Sequence, residues 1–333
     1  MKAVIVGGGI GGLEVLRNLN LDATLIEPRD EMIFYPLLPE FIVDKVGWDD
    51  MTVEISEFCD KHGVHWIRDR AVSVESDRVI TERDEVEFDY LIISVGAKAS
   101  KLENTVDPME VKDALKDVED VLIVGSGSTG VEFAFELREC GYNVKVLECL
   151  DRILPTFSPS VSRFVTRLME KEGIEVFTSC RVLKVDRGVK TDRGEVECDV
   201  VVSCVGLKPN PIDGLRNRDG WIVVDDYLRV GGRVFAIGDC AFVSVNGEVA
   251  TKTALEAERQ AKVTAKNVER LIEGRRLIRY RVHSSLEKPT SFITLARNRA
   301  ILIYRGILIP RPMKILYKVK MNYIRSFMNR FKI

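Results

Sequence analysis

Two glycine-rich stretches carry the clearest chemical signal: Gly7-Gly8-Gly9-Ile10-Gly11-Gly12 and Gly125-Ser126-Gly127-Ser128-Thr129-Gly130. Each has the spacing G-x-G-x-x-G, follows a short apolar run and opens a stretch of helical periodicity. That pattern suits a dinucleotide pyrophosphate. Gly7 and Gly125 permit a tight turn, Gly9 and Gly127 let the phosphates approach the backbone, and Gly12 and Gly130 let helix pack on strand. The helix start then offers unpaired N–H groups and the positive end of its dipole. A carboxylate ends the next apolar run in both copies: Glu27, 20 residues past Gly7, and Glu148, 23 past Gly125. In that position it accepts hydrogen bonds from ribose hydroxyls and repels a 2′-phosphate. Glu148 therefore favours NADH over NADPH, a preference that nearby Arg152 blurs. A plain β–α connection would account for one such turn. It accounts poorly for two that agree in strand, spacing, helix and acid.

These turns belong to a strand–turn–helix–strand unit that occurs twice. The first runs from Ala3-Val4-Ile5-Val6 through a helix over Leu13 to Leu19 and on to Ala23-Thr24-Leu25-Ile26. The second runs from Val121-Leu122-Ile123-Val124 through Val131 to Glu139 and on to Val144-Lys145-Val146-Leu147, with Gly141 as the helix cap. Each closes with an unalternating apolar strand, Phe88 to Gly96 and Cys198 to Gly206, as parallel strands covered on both faces require. Short hairpin strands such as Arg78 to Thr81 and Val189 to Asp192 intervene. A strand from Arg233 then ends in Gly238-Asp239-Cys240, and a long helix covers roughly Thr253 to Glu273 with Ala254, Ala257, Ala261, Val263, Ala265, Val268 and Leu271 inward. Short strands, Ser291 to Leu295 and Ala300 to Tyr304, precede a basic terminal segment.

A chain of 333 residues, 46% hydrophobic and 30% charged, points to two globular domains. A net charge of −2 argues against nucleic-acid binding by bulk charge. The N-terminal run enters the first glycine turn with no cleavage site, so it is expected as a buried strand and not as a signal peptide. The seven scattered cysteines show no close pair and fit reduced thiols in a cytoplasm. His62 and His65 flank Gly63, which reads as a helix end, so no metal site is expected. Cys240 reads as a small packing residue, and Trp48, Trp66 and Trp221 give no functional signal. The single glutamine, Gln260, together with abundant charge hints at a thermophilic source.

The doubled turns, the closing strands ending at Gly96 and Gly206, and Ala236-Ile237-Gly238-Asp239 together resemble the two-dinucleotide-binding-domain flavoproteins, the pyridine nucleotide-disulfide oxidoreductase superfamily, over nearly the whole chain. The resemblance implies an α/β fold of two Rossmann-like domains. A discontinuous FAD domain would span residues 1–105 and 211–283, an NAD(H) domain 106–210, and a small α+β region 284–333. It implies FAD against Gly7, Gly9, Gly12, Glu27, Pro36, Gly96, Asp239 and Thr253, with Asp239 on the ribityl chain and the helix from Thr253 aimed at the flavin N1–C2=O edge. NAD(H) would lie against Gly125, Gly127, Gly130, Glu148 and Gly206. Disulfide reductases carry a cysteine pair beside the flavin, whereas here no cysteine follows Glu27 until Cys59. Pro36-Leu37-Leu38-Pro39-Glu40, Gly11-Gly12-Leu13-Glu14 and Gly130-Val131-Glu132 resemble type II NADH:quinone oxidoreductases. There the glutamate matching Glu132 lies near nicotinamide and flavin; the alternative is a helix N-terminal acid stabilising the dipole. The family's Ala-Gln…Gln pattern is reduced here to Gln260, which leaves the acceptor open. Lys252-Thr253 is similar to sulfide:quinone oxidoreductases, but position 126 is serine and no cysteine follows Cys240.

No acidic residue follows Glu287. From Met313 on, helical spacing sets Leu316, Val319, Tyr323, Ile324, Phe327, Met328 and Phe331 against Lys314, Lys318, Asn322, Arg325, Asn329 and Lys332. A cationic amphipathic helix of this kind lies on an anionic membrane or packs on a partner subunit; the acid-free run favours the membrane. The expectation is a FAD-dependent NADH oxidoreductase, cytoplasmic and peripheral on the inner face of the cell membrane, passing electrons to a quinone, with a homodimer left open. The rivals are a soluble NAD(P)H-dependent reductase of a small electron carrier, a sulfide:quinone-oxidoreductase-like enzyme and a membrane-docked flavin sensor.

Overall fold

The structure, a computed structural model, describes residues 1–186 and 188–332, with the side chain of Pro310 left aside. Its first unit opens with strand β1 (Lys2–Val6), helix α1 (Ile10–Asn18), β2 (Asp22–Ile26), the short helix α2 (Leu38–Phe41), β3 (His65–Ile67) and β4 (Tyr90–Ile93). The second contains β5 (Asp120–Val124), helix α3 (Ser128–Glu139), β6 (Asn143–Leu147), β7 (Glu175–Phe177) and β8 (Val200–Ser203). The chain then returns through β9 (Arg229–Gly231) and β10 (Val234–Ala236) to the long helix α4 (Ala254–Ile272).

Six strands form one sheet in the order β9-β10-β4-β1-β2-β3, parallel except for β9. Strands from before and after the second unit thus share a sheet, with residues 120–203 forming a second, parallel one in the order β7-β6-β5-β8. Ala3, Val4 and Ile5 in β1, and Leu122 and Ile123 in β5, are fully buried, which is why these runs show no polar alternation. In both sheets the direction of winding reverses beside the first strand of the unit, and the glycine turn leaves that strand at its carboxyl end, where open α/β sheets bind ligands. The hairpin strands expected at Arg78 and Val189 are present as Arg78–Thr81 and Val189–Thr191. His62 ends a helix capped by Gly63, which has φ +63°, the stop that the sequence indicates.

Past residue 284 an antiparallel sheet of β11 (Ser291–Leu295), β12 (Arg299–Tyr304) and β13 (Ile307–Met313) leads into helix α5 (Lys314–Met328). Here the expected facial split needs correction. Ile324, Phe327, Met328 and Phe331 are buried in the protein's own core, with the Phe327 ring tilted against Phe34 at 5.3 Å and against Phe331 at 4.9 Å between centroids. Arg330 adds a 2.9 Å bond to Glu258 of α4. Half of the apolar stripe therefore serves as tertiary packing, and Lys320 on the same helix is buried as well. Of that stripe Val319 and Tyr323 remain outside, beside exposed Ile307 and Ile309 of β13 and Ile315 of α5. The inner face of α4 also differs from expectation. Ala257, Ala261, Ala265 and Val268 are buried as the periodicity predicts, but Glu256, Glu258, Gln260, Thr264 and Asn267 are buried among them. Each except Thr264 finds a hydrogen-bond partner elsewhere in the chain.

Candidate functional site

The two glycine turns are near copies in three dimensions. Gly7 and Gly125 have φ of +103° and +97°, where side chains other than glycine are strained, and a Cβ on Gly7 would stand 2.5 Å from the Ser94 carbonyl. A Cβ on Gly12 would overlap the Gly7 carbonyl, and one on Gly130 the Gly125 carbonyl. Gly9 and Gly127 differ in kind: nothing lies within 4 Å of a Cβ built there. Both residues are N-caps without a side-chain cap bond, so no cap side chain occupies the helix starts, the arrangement that suits a pyrophosphate.

The carboxylates stand beside these turns. Glu27 accepts bonds from Gly8 N at 2.6 Å and from Arg29 N, Nε and Nη2 at 3.0, 2.8 and 3.1 Å. Burial opposes its charge, but Arg29 and the Gly8 amide outweigh burial and hold the carboxyl below its ordinary range. Glu148 accepts from Ser126 Oγ at 2.5 Å, Ser126 N at 3.1 Å and Leu150 N at 2.9 Å, and is likewise held ionised against burial. The second copy replaces Gly8 by Ser126, whose hydroxyl bonds Glu148 where the charged Arg29 bonds Glu27.

The remaining residues of the first cleft gather around the end of β10. Gly238 donates to Gln260 Oε1 at 2.7 Å, and Asp239 follows in the same turn. Burial raises the Asp239 carboxyl, with Lys252 partly offsetting it. Lys252 donates to the Ala241 carbonyl at 2.6 Å and stacks 4.2 Å above Trp221, so this tryptophan has a cation to carry, which the sequence did not signal. Thr253 caps α4 by accepting from Glu256 N at 3.3 Å. Gly96 and Gly206 have φ of +65° and +99°, with open space where a Cβ would stand. Pro36 lies in a one-turn helix, Tyr35–Leu37, leading into α2. Cys240 is buried, with its thiol against the Ile237 carbonyl at 3.2 Å.

Glu132 is the fifth residue of α3, beyond the first turn, and its carboxylate is engaged elsewhere. Glu132 Oε1 accepts from Lys320 Nζ at 3.0 Å and from Thr294 N at 2.8 Å. Lys320 also donates to Glu40 Oε1 at 3.2 Å and to Thr294 Oγ1 at 2.5 Å. One helical turn on, Glu136 accepts from Lys45 at 2.5 Å, and Lys45 is shared with Glu139 at 2.9 Å. Burial raises the Glu132 carboxyl, with Lys320 pulling it back. Burial likewise pushes Glu136 up to about 7, with Lys45 opposing and the Glu40 and Glu139 charges reinforcing. Lys45, Glu136 and Lys320 were not singled out in the sequence. Only an acid in an otherwise apolar helix, Phe133-Ala134-Phe135-Glu136-Leu137, hinted at them. Among the described residues, no group of three or more His, Cys, Asp or Glu is placed to hold a metal ion.

The chain belongs to the pyridine nucleotide-disulphide oxidoreductase family, whose model matches residues 1–261. It is 28% identical over 319 residues to the external alternative NAD(P)H-ubiquinone oxidoreductase B1 of Solanum tuberosum mitochondria, covering 73% of this chain and 55% of the plant protein. The chain therefore spans about half the length of that relative. It is 24% identical over 383 residues to the type II NADH:quinone oxidoreductase of Haemophilus influenzae, covering 88% and 86% of the two chains. In fold it superposes on the sulfide:quinone oxidoreductase of Aquifex aeolicus with a TM-score of 0.86 at 18% identity, over 99% of this chain and 91% of that one. That likeness shows the α/β fold.

Proposed function

We propose that this protein is a FAD-dependent NADH oxidoreductase that passes two electrons to a quinone at a membrane surface. The observation that carries the reading is the pair of open glycine cradles, each with an ionised carboxylate at the ribose position. FAD lies in the first cleft, held by Gly7, Gly9, Gly12, Glu27, Pro36, Gly96, Asp239 and Thr253. NADH lies in the second, held by Gly125, Gly127, Gly130, Glu148 and Gly206. The division into 1–105 with 211–283, 106–210 and 284–333 follows this assignment. When bound, the flavin supplies the two-electron chemistry, and the protein positions and shields the reactants. Glu148, ionised and steered by Ser126, meets a free 2′-hydroxyl and repels a 2′-phosphate. Glu132, which the family resemblance puts near nicotinamide and flavin, is held by Lys320 and the Thr294 amide.

The quinone assignment rests on the relatives and on chemistry. Among the seven free cysteines none lies on α2 or the segment leading to it, so no thiol relay is at hand. The membrane assignment is narrowed to what packing leaves exposed. Ile307, Ile315, Val319 and Tyr323 are 71%, 59%, 46% and 46% exposed, with Arg311, Lys314, Lys318 and Arg325 exposed alongside. Apolar side chains inserted at the interface and cations above them suit an anionic lipid surface. Among the described residues no helix is long and apolar enough to cross a membrane. Steady-state NADH oxidation by the purified protein with quinones, sulfide and electron-carrier proteins tests the reading. Turnover with quinones is expected; turnover confined to a carrier protein would replace the acceptor.

A further inference from the structure

The carboxyl ends of three paired strands define one edge of the first cleft. Ile93 of β4 pairs with Val6 of β1 on one side and with Ala236 of β10 on the other, so the turns at Gly7, Gly96 and Gly238 open side by side. The head of α4 packs into that edge. Gln260 accepts from the Gly238 amide at 2.7 Å, and a Cβ on Gly238 would stand 3.7 Å from that of Ala257. In the first turn of this helix Glu256 is 1% exposed. Its Oε1 accepts from His283 N at 3.0 Å and from Ser284 N at 2.7 Å, and its Oε2 from Tyr280 Oη at 2.5 Å. All three donors are neutral. Arg259, one turn further along α4, is exposed, and Lys252, four residues earlier, is turned to the Ala241 carbonyl and the Trp221 ring. A carboxylate taken out of water is costly unless donors and local dipoles hold it, and here the positive end of α4 adds to the three bonds. Burial and the Glu256 charge in turn push the Tyr280 phenol well above its ordinary range, so it stays a donor. Thr251, which donates to Ser284 Oγ at 2.9 Å, ties the same strap, residues 280–284, to the approach to α4.

We propose that Glu256 is a positioning residue that sets a fixed negative charge at the head of α4 and thereby lowers the reduction potential of the flavin in the first cleft. This rests on FAD lying in that cleft. A flavin gains negative charge as it is reduced, and a helix N-terminus with unpaired N–H groups favours such charge. Glu256 works against it, because a carboxylate in the first turn cancels part of the positive end. A unit charge acting over about 10 Å through protein of effective dielectric about 20 shifts an equilibrium by about tenfold. The flavin then gives up its electrons more readily, which favours onward transfer to the acceptor.

Spectroelectrochemical titration of the FAD-loaded protein at one fixed pH tests this with Glu256→Gln and Tyr280→Phe. Glu256→Gln keeps an acceptor oxygen for the two backbone amides and removes the charge. The ratio of reduced to oxidised flavin at a given applied potential should rise about tenfold, an upward shift of about 30 mV for a two-electron couple. Tyr280→Phe keeps the charge and removes one of its donors, so the potential should move the opposite way, downward. Loss of packing alone would move both variants alike. Opposite shifts support the assignment, and if Glu256→Gln fails to hold FAD, a downward shift in Tyr280→Phe carries it. An unmoved potential in either variant, or shifts of one sign in both, overturns the role of Glu256 and leaves the FAD reading standing. Folded wild-type protein that takes up no FAD overturns the cofactor assignment and this role together.

Discussion

Glu136 should make the folded protein less stable as pH rises through neutrality. Its side chain is fully buried, and its carboxyl stands at about 7 against an ordinary 4.5. Below about pH 4.5 the group is protonated in folded and unfolded chains alike and contributes no slope. Between 4.5 and 7 the unfolded chain releases the proton and the folded chain keeps it, so each pH unit removes about 1.4 kcal/mol of stability. Above 7 both states are ionised and the loss levels off at about 3 kcal/mol. Glu136→Gln has no such proton to lose. The variant's stability relative to wild type should therefore rise by about 3 kcal/mol between about pH 4.5 and pH 8, whatever constant offset the lost Lys45 contact adds. For a chain of this length that is a change of about 5 °C in the difference between the two melting temperatures. Differential scanning calorimetry across that range measures it, with titrating groups outside the cluster cancelling in the comparison. Melting profiles that run parallel at every pH would refute the argument, because they would mean that Glu136 titrates alike folded and unfolded.

Lys320→Met should be the more damaging change in the same cluster: it leaves Glu40 and Glu132 buried without their ammonium, and removal of one partner of a buried pair costs about 3–5 kcal/mol, read as a lowered melting temperature. Glu148→Arg should move the ratio of kcat/KM for NADPH over NADH upward by about tenfold, equivalent to about 1.4 kcal/mol, in steady-state assays; an unmoved ratio would remove Glu148 from nucleotide choice. Replacement of Ile307, Ile315 and Val319 by serine should weaken binding to anionic vesicles at least tenfold in flotation assays, since each apolar side chain inserted contributes about 1.5–3 kcal/mol before ordering costs. Bleaching of the flavin by NADH should be untouched in that triple variant, because these side chains lie outside both clefts. Deletion of the whole segment after Arg311 would be a poorer test, for it would also remove Phe327, Phe331 and Lys320 from the core.

The turns and sheets were legible because local backbone geometry specifies them. Gly7 and Gly125 are needed for a positive φ, Gly12 and Gly130 for close packing, and runs such as Val121-Leu122-Ile123-Val124 for a strand buried on both faces. The charge cluster was not legible, because its pairing is not local: Lys320 meets Glu40 across 280 positions and Glu132 across 188. Nothing in the neighbourhood of Glu136, set among phenylalanines, states which cation will reach it. The terminal helix shows a third case. Periodicity identified an apolar stripe correctly but could not say what covers it, and Phe34 and Phe58 in the first unit claim the part that Phe327 and Phe331 supply.

The central claim, that electrons run from NADH through FAD to a quinone, is tested most directly by an anaerobic spectral titration of the purified protein. The account predicts a yellow protein with one FAD per chain, bleached by one equivalent of NADH and restored by one equivalent of quinone. A folded protein that binds no FAD, or whose FAD keeps its colour in excess NADH, would contradict it.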